Sequence, residues 1–73
     1  MTTEEFSNTK FGCGMRCLFK PETLKPHEYI IVGVDFEKAK IGIVHPEIIE
    51  EYPNGDFHEE IYWAICDRIE LIN

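Results

Sequence analysis

Two runs of β-branched residues, joined by a short polar link at residues 37–40, place the strongest constraint on how this chain can fold. In the first run, residues 28–36, apolar side chains occupy the even positions: Ile30, Val32, Val34 and Phe36. The second run is residues 41–45. Such residues fit the pleated surface of a strand, and the link is short enough for a hairpin. The pattern predicts an antiparallel hairpin with the even-numbered stripe of the first strand on one apolar face.

Alternation also predicts a strand over residues 11–19, where the odd positions are apolar: Phe11, Cys13, Met15, Cys17 and Phe19. Residues 20–27 contain two prolines and are expected to form a loop. Residues 1–9 are polar apart from Phe6, which predicts a flexible N-terminus. Residues 10–73 are then a single small domain, as the length of 73 residues allows.

The last third of the chain admits two interpretations. In the first, residues 60–65 form a strand, residues 66–68 a tight turn and residues 69–72 a short final strand. In the second, Asp56 and Glu59 cap a helix over residues 56–72, which gives an α+β fold with that helix on a three-stranded sheet. The Ile, Tyr and Trp content favours strands. Between hairpin and strand, the 46–56 connection predicts one helical turn from Pro46 and then a Pro-Asn-Gly-Asp turn.

The segment Ile65-Cys66-Asp67-Arg68-Ile69-Glu70-Leu71-Ile72 resembles the ending of SH3 domains, where a single 3₁₀ turn joins the last two strands. Gly14-Met15-Arg16-Cys17-Leu18, followed by the Val-Gly-Val-Asp-Phe hairpin, is similar to short SH3-like proteins of bacteria, phages and mobile elements. The resemblance covers residues 11–72 in pattern. It implies an all-β fold, a small five-stranded SH3-like barrel with a long 46–56 connection and a short 3₁₀ turn near 66–68.

The same resemblance does not imply binding of proline-rich peptides. The Ala-Leu-Tyr-Asp-Tyr stretch of eukaryotic SH3 domains is missing, and Ile65 stands where they have a proline before the 3₁₀ turn. Fold alone does not carry function. No binding site can therefore be transferred residue by residue.

Charge is distributed unevenly along the chain. The net charge of −7 equals that of residues 46–73 alone, which contain eight acidic residues and Arg68 as their only Lys or Arg. Phosphate backbones are bound through clustered Lys and Arg, so direct nucleic-acid binding is not expected. The longest apolar runs have six residues, against roughly 20 for a membrane-spanning helix, so no membrane partner is expected either. An acidic surface favours a protein partner with a basic surface.

Three cysteines, an odd number, and a polar start without an apolar signal sequence predict reduced thiols in a cytoplasmic protein. Cys13 and Cys17 have a spacing found in zinc sites, but a second closely spaced pair is lacking. On a strand both sulfurs also belong to the apolar face. We expect no metal, no cofactor and no catalytic residue, hence no enzyme.

The prediction is a non-enzymatic, acidic protein-interaction module, a monomer or a weak dimer formed through edge strands. Aromatic residues ringed by charge are typical binding anchors. The predicted binding residues are two tyrosines and four steering glutamates: Tyr52, Tyr62, Glu50, Glu51, Glu59 and Glu60. Two alternatives stay open: a phage or mobile-element inhibitor acting as an acidic nucleic-acid decoy, and a small zinc-stabilised domain.

Overall fold

The computed structural model describes residues 1–12, 14–21 and 25–72 of the chain. Its helices are α1 (Thr3–Asn8) and α2 (Pro46–Glu51), and 3₁₀ turns span His58–Glu60 and Cys66–Arg68. The strands are β1 (Arg16–Phe19), β2 (His27–Asp35), β3 (Lys40–Val44), β4 (Tyr62–Ile65) and β5 (Ile69–Leu71).

The five strands form one antiparallel sheet in the order β4-β3-β2-β1-β5. The predicted hairpin is confirmed as β2–β3, and the predicted strand, turn and strand at the end of the chain are confirmed as β4, the 3₁₀ turn and β5. The alternative helix over residues 56–72 is wrong. In the described part of the chain no pairing joins β4 to β5, so the ladder is open, and the fold is mostly β with two short helices.

A bulge in β2 overturns the predicted even-numbered stripe. Ile31 lies opposite Ile43, whereas Gly33 lies opposite Gly42, so β2 has one extra residue, Val32, between them. Because side chains alternate along a strand, one extra residue exchanges the two faces. Before the bulge the odd-numbered Ile31 is in the core, and after it the even-numbered Val34 packs against the core.

The expectation of a frayed N-terminus also differs from the structure. The Thr2 hydroxyl accepts from the Glu5 N–H at 3.1 Å, and Glu5 accepts from the Thr2 N–H at 2.9 Å, which forms a capping box. The helix α1 that follows inserts Phe6, 2% exposed, into the core. The amine of Met1 donates to the carbonyls of Cys66 and Ile69, so the segment is anchored at the second 3₁₀ turn.

The core lies on one face of the sheet and is closed at one end by α1. It is built from small and β-branched side chains of every strand together with Phe6. Its buried members are Phe6, Cys17, Ile31, Ile41, Ile43, Ala64, Cys66 and Ile69. The strand predicted over residues 11–19 is shorter in the structure, where β1 covers Arg16–Phe19. Phe11, Met15 and Phe19 nevertheless pack against the core in which Cys17 is buried, while Cys13 lies outside the described residues.

Trp63 lies on the other face of the sheet, across two glycines. A Cβ built on Gly33 would stand 3.0 Å from Cη2 of Trp63, and one built on Gly42 would stand 3.1 Å from the same atom. Glycine at both positions is what lets the indole approach the backbone so closely. The ring stays 44% exposed, so it belongs to a surface rather than to the core.

Specific residues shape the connections between the strands. At the β2–β3 turn the Asp35 carboxylate accepts from the Lys38 N–H at 3.1 Å, and Ala39 takes a positive φ of 53°. Pro46 begins α2 as predicted. Gly55 has a φ of 80° in the predicted Pro-Asn-Gly-Asp turn, where only glycine adopts such a backbone without strain.

Replacement of Phe6 by alanine tests the role of the N-terminal segment. We expect Phe6→Ala to lower the free energy of unfolding by about 3–5 kcal/mol, because a buried aromatic ring is lost and a cavity remains. Urea unfolding followed by circular dichroism measures this. Phe36→Ala is the control: its ring centroid lies 5.5 Å from that of Phe6, but Phe36 is 65% exposed, so the loss of stability should be smaller. Equal stability of Phe6→Ala and wild type would mean that residues 1–9 fray as the sequence suggested.

Replacement of Gly42 by alanine tests the packing of Trp63 against Gly33 and Gly42. The new methyl would lie 3.0 Å from Cγ2 of Ile61 and 3.1 Å from the indole, and such overpacking costs about 1–3 kcal/mol. The emission of this single tryptophan should also shift to longer wavelength as the ring leaves the sheet. Gly12→Ala is the control, because the nearest atom to a Cβ built there is Sδ of Met15 at 3.8 Å, an ordinary contact. Unchanged emission in Gly42→Ala would contradict the packing described.

Candidate functional site

An aromatic concavity of about 280 Å³ opens where the core reaches the surface. The ring centroids of Phe19 and Tyr62 are 5.3 Å apart, those of Phe19 and Tyr29 are 5.9 Å apart, and those of Tyr29 and His45 are 4.6 Å apart. The lining residues are Phe19, Tyr29, Ile43, Val44, His45, Ile48, Glu60 and Tyr62. Tilted and edge-to-face rings at these separations form a stable, largely preformed apolar surface.

The register of the sheet explains why these rings meet. Tyr29 lies opposite the buried Cys17, and Tyr62 lies opposite the buried Ile43. Residues directly opposite in an antiparallel pair project to the same face. Tyr29 and Tyr62 therefore project on the core face, and Phe19, two residues after Cys17, does the same. The concavity is the open end of the core, and α2 contributes Ile48 to its rim.

An acidic hollow of about 230 Å³ adjoins the concavity. It is lined by Tyr52, Asp56, Phe57, His58, Glu59 and Glu60. Within it, Nδ1 of His58 is 3.2 Å from Oδ1 of Asp56. The Asn54 side chain accepts from the Asp56 N–H at 3.2 Å and fixes the turn that carries this residue. The glutamates stand on the 3₁₀ turn His58–Glu60 that leads into β4.

Glu60 borders both cavities, so the aromatic concavity and the acidic hollow form one continuous surface. The structure thus brings together four of the six predicted site residues: Tyr52, Glu59, Glu60 and Tyr62. The other two, Glu50 and Glu51, stand at the C-terminal end of α2 and line neither cavity. Tyr62 is 57% exposed, so its ring is available to a partner on one side while it contacts Phe19 on the other.

Sequence reasoning missed Phe19, Tyr29 and His45. The alternation of residues 11–19 predicts a buried position for Phe19, and Tyr29 lies outside the even-numbered stripe. A bulge at Val32 would have placed Tyr29 on the core side, because odd positions face the core before it. His45 ends the second β-branched run and immediately precedes α2, and this placement gives no sign of its contact with Tyr29.

The described thiols belong to the core. Cys17 and Cys66 are free and buried. Burial, and then the nearby Glu28 carboxylate, raise the pKa of Cys17 to about 11, which keeps its thiol protonated and unreactive at neutral pH. Cys13 lies outside the described residues. Within residues 1–12, 14–21 and 25–72 there is no group of three or more His, Cys, Asp or Glu side chains that could hold a metal ion.

Comparison of the chain with protein-family models, with curated proteins and with solved structures gives no match. Neither described helix is long and apolar enough to cross a membrane.

Thiol labelling tests the inert character of the buried cysteines. In a Cys13→Ser variant at pH 8, we expect the two remaining thiols to react with Ellman's reagent about 100-fold or more slowly than in the urea-unfolded chain. A pKa two units above the ordinary value leaves about one hundredth of the Cys17 thiolate, and burial blocks access to both sulfurs. Labelling of either thiol at the unfolded rate in native buffer would show that the sulfurs are accessible.

Proposed function

We propose that the protein is a non-enzymatic binding module for a protein segment that carries an apolar or aromatic side chain next to basic residues. The observation behind this proposal is the shared position of Glu60, which joins the aromatic concavity to the acidic hollow. A segment lying across Glu60 would place its apolar side chain among the rings and its basic side chains beside the carboxylates.

The apolar side of the site supplies the main part of the affinity in this proposal. The rings of Phe19, Tyr29 and Tyr62 support one another through their contacts, so a ligand would not have to order them on binding. Aromatic residues in such preformed pockets are the usual binding hot spots. The hydroxyl groups of the two tyrosines add polar contacts at the rim.

The acidic hollow orients a basic partner and accelerates its association. Asp56, Glu59 and Glu60 are all exposed, and exposed charges contribute little to affinity one by one because water and salt screen them. Together they attract a basic partner and accelerate the encounter at low ionic strength. The net charge of −7 acts in the same direction over longer distances.

We further propose that the five-stranded sheet has the architecture of an SH3-like barrel. We also propose that the protein works in the cytoplasm. The meander β1–β4, a 3₁₀ turn at Cys66–Arg68 and a last strand that pairs with the first support the likeness. The core thiols fit a reducing compartment.

Selection from a displayed library of random octapeptides, with the whole chain as bait, tests the binding function. We expect enrichment of peptides that combine an aromatic or large aliphatic residue with Lys or Arg. For the best peptide, Glu59→Gln with Glu60→Gln should weaken binding about three- to tenfold in 50 mM salt and flatten its salt dependence. Tyr62→Ala should weaken it about tenfold or more and leave the salt dependence unchanged.

The matched control is the pair Glu4→Gln and Glu37→Gln, which removes the same charge from α1 and from the β2–β3 turn. This pair should leave the affinity within about twofold of wild type. An equal loss in both double variants would mean that only net charge matters, and failure to enrich any peptide would overturn the proposed function.

A further inference from the structure

The outer edge of β4 is a row of exposed backbone groups beside the proposed site. β4 is the last strand on its side of the sheet, and in the described residues it pairs only with β3. Three of its four side chains are exposed, with Tyr62 at 57%, Trp63 at 44% and Ile65 at 53%. An edge of this kind is a template for pairing with another extended chain.

One hydrogen bond shows which backbone groups of β4 face outward. The Cys66 N–H donates to the Ala39 carbonyl at 3.0 Å, in the same register as the pair Lys40 and Ile65. Because N–H groups of successive strand residues point to opposite sides, the even-numbered residues of β4 bond to β3. The N–H and C=O groups of Trp63 and the N–H group of Ile65 therefore point away from the sheet, whereas Ile65 is the N-cap of the 3₁₀ turn, so its C=O belongs to that turn.

The surroundings of this edge favour a basic occupant. Glu59 and Glu60 immediately precede it on the 3₁₀ turn, and Glu60 also borders the aromatic concavity. An added strand would place side chains alternately toward Tyr62 on the core face and toward Trp63 and Ile65 on the outer face. The acidic residues and the exposed apolar side chains that a partner segment would contact thus follow one another along the edge of β4.

We propose that the partner segment binds by strand addition to β4, in an extended conformation, with its basic residues against Glu59 and Glu60. This inference rests on the proposed function and specifies its binding mode and the conformation of the partner. In antiparallel pairing, the carboxyl-terminal half of the segment lies at the glutamate end. Backbone pairing supplies affinity that depends little on sequence, and the concavity selects the side chain that enters it.

A second copy of this chain is the competing occupant of the same edge. Each copy carries a net charge of −7, so the approach of two copies is opposed by repulsion that a basic segment does not meet. This difference is why we assign the edge to a basic segment.

Amide hydrogen exchange measured by nuclear magnetic resonance tests the pairing directly. With the octapeptide selected as described above at saturation, exchange of the Trp63 and Ile65 amides should slow about tenfold or more. The Leu71 amide is the matched control: the Ile72 N–H donates to the Arg16 carbonyl at 3.1 Å, so Leu71 points outward at the opposite edge of the sheet. Its exchange rate should not change.

Replacement of Ile65 by proline removes one outward N–H with little change in the fold. Ile65 has φ −64° and ψ 139°, which are proline's own angles, and its N–H does not serve the β3 ladder. Ile65→Ala removes the same side chain and keeps the N–H. We expect Ile65→Pro to bind the peptide about tenfold more weakly than Ile65→Ala, the effect of one lost hydrogen bond. Circular dichroism of both variants checks that they are folded.

The outcomes separate the two proposals. Equal affinity of Ile65→Pro and Ile65→Ala, together with unprotected Trp63 and Ile65 amides, would overturn strand addition and leave the glutamate-dependent binding function intact. Absence of any binding peptide would overturn both. Protection of these amides without peptide, with a doubled mass by light scattering, would show that a second copy occupies the edge and would also overturn the inference.

Discussion

The extra residue in β2 is the constraint on which the rest of the structure depends. β2 pairs with β1 through residues 27–30, before the bulge, and with β3 on both sides of it, so the extra Val32 decides which side chains of each half face the core. Before it, Tyr29 and Ile31 face the core side, and after it Val34 does. Without the extra residue, one half of the strand would turn its apolar side chains away from the core. The aromatic concavity at one end and the packed interior at the other therefore require the same bulge.

Much of the fold was predictable because the relevant signals are local. The hairpin, the Pro46 helix start and the β4–β5 ending follow from β-branched runs, proline and turn residues that lie close together in the sequence. The bulge was not predictable, because Val32 suits either face and only the pairing with β3 makes it the extra residue. The N-terminal helix had a signal, Thr2 followed by Glu5, but a single apolar residue, Phe6, gave no periodicity to confirm it.

The candidate site was predicted only in the part that is contiguous in sequence. Tyr52, Glu59, Glu60 and Tyr62 lie within one acidic segment, and charge and composition pointed to them. Their aromatic neighbours come from strands elsewhere in the chain, and only the sheet register brings them within ring contact. Glu50 and Glu51 fit the charge pattern equally well, but the turn of α2 carries them away from the cavities.

The pairing of the first strand with the last affects how the chain must fold. The β2–β3 hairpin needs contacts only between near neighbours, whereas Cys17 meets Leu71 across most of the sequence, and closing so long a loop costs entropy before its contacts form. We therefore expect the hairpin to form early and the β1–β5 pair to close late. The aromatic concavity takes Phe19 from β1, Tyr29 from β2 and Tyr62 from β4, so it is complete only when these strands have assembled. A ligand held there binds the native state alone, and by mass action it protects the whole chain against unfolding.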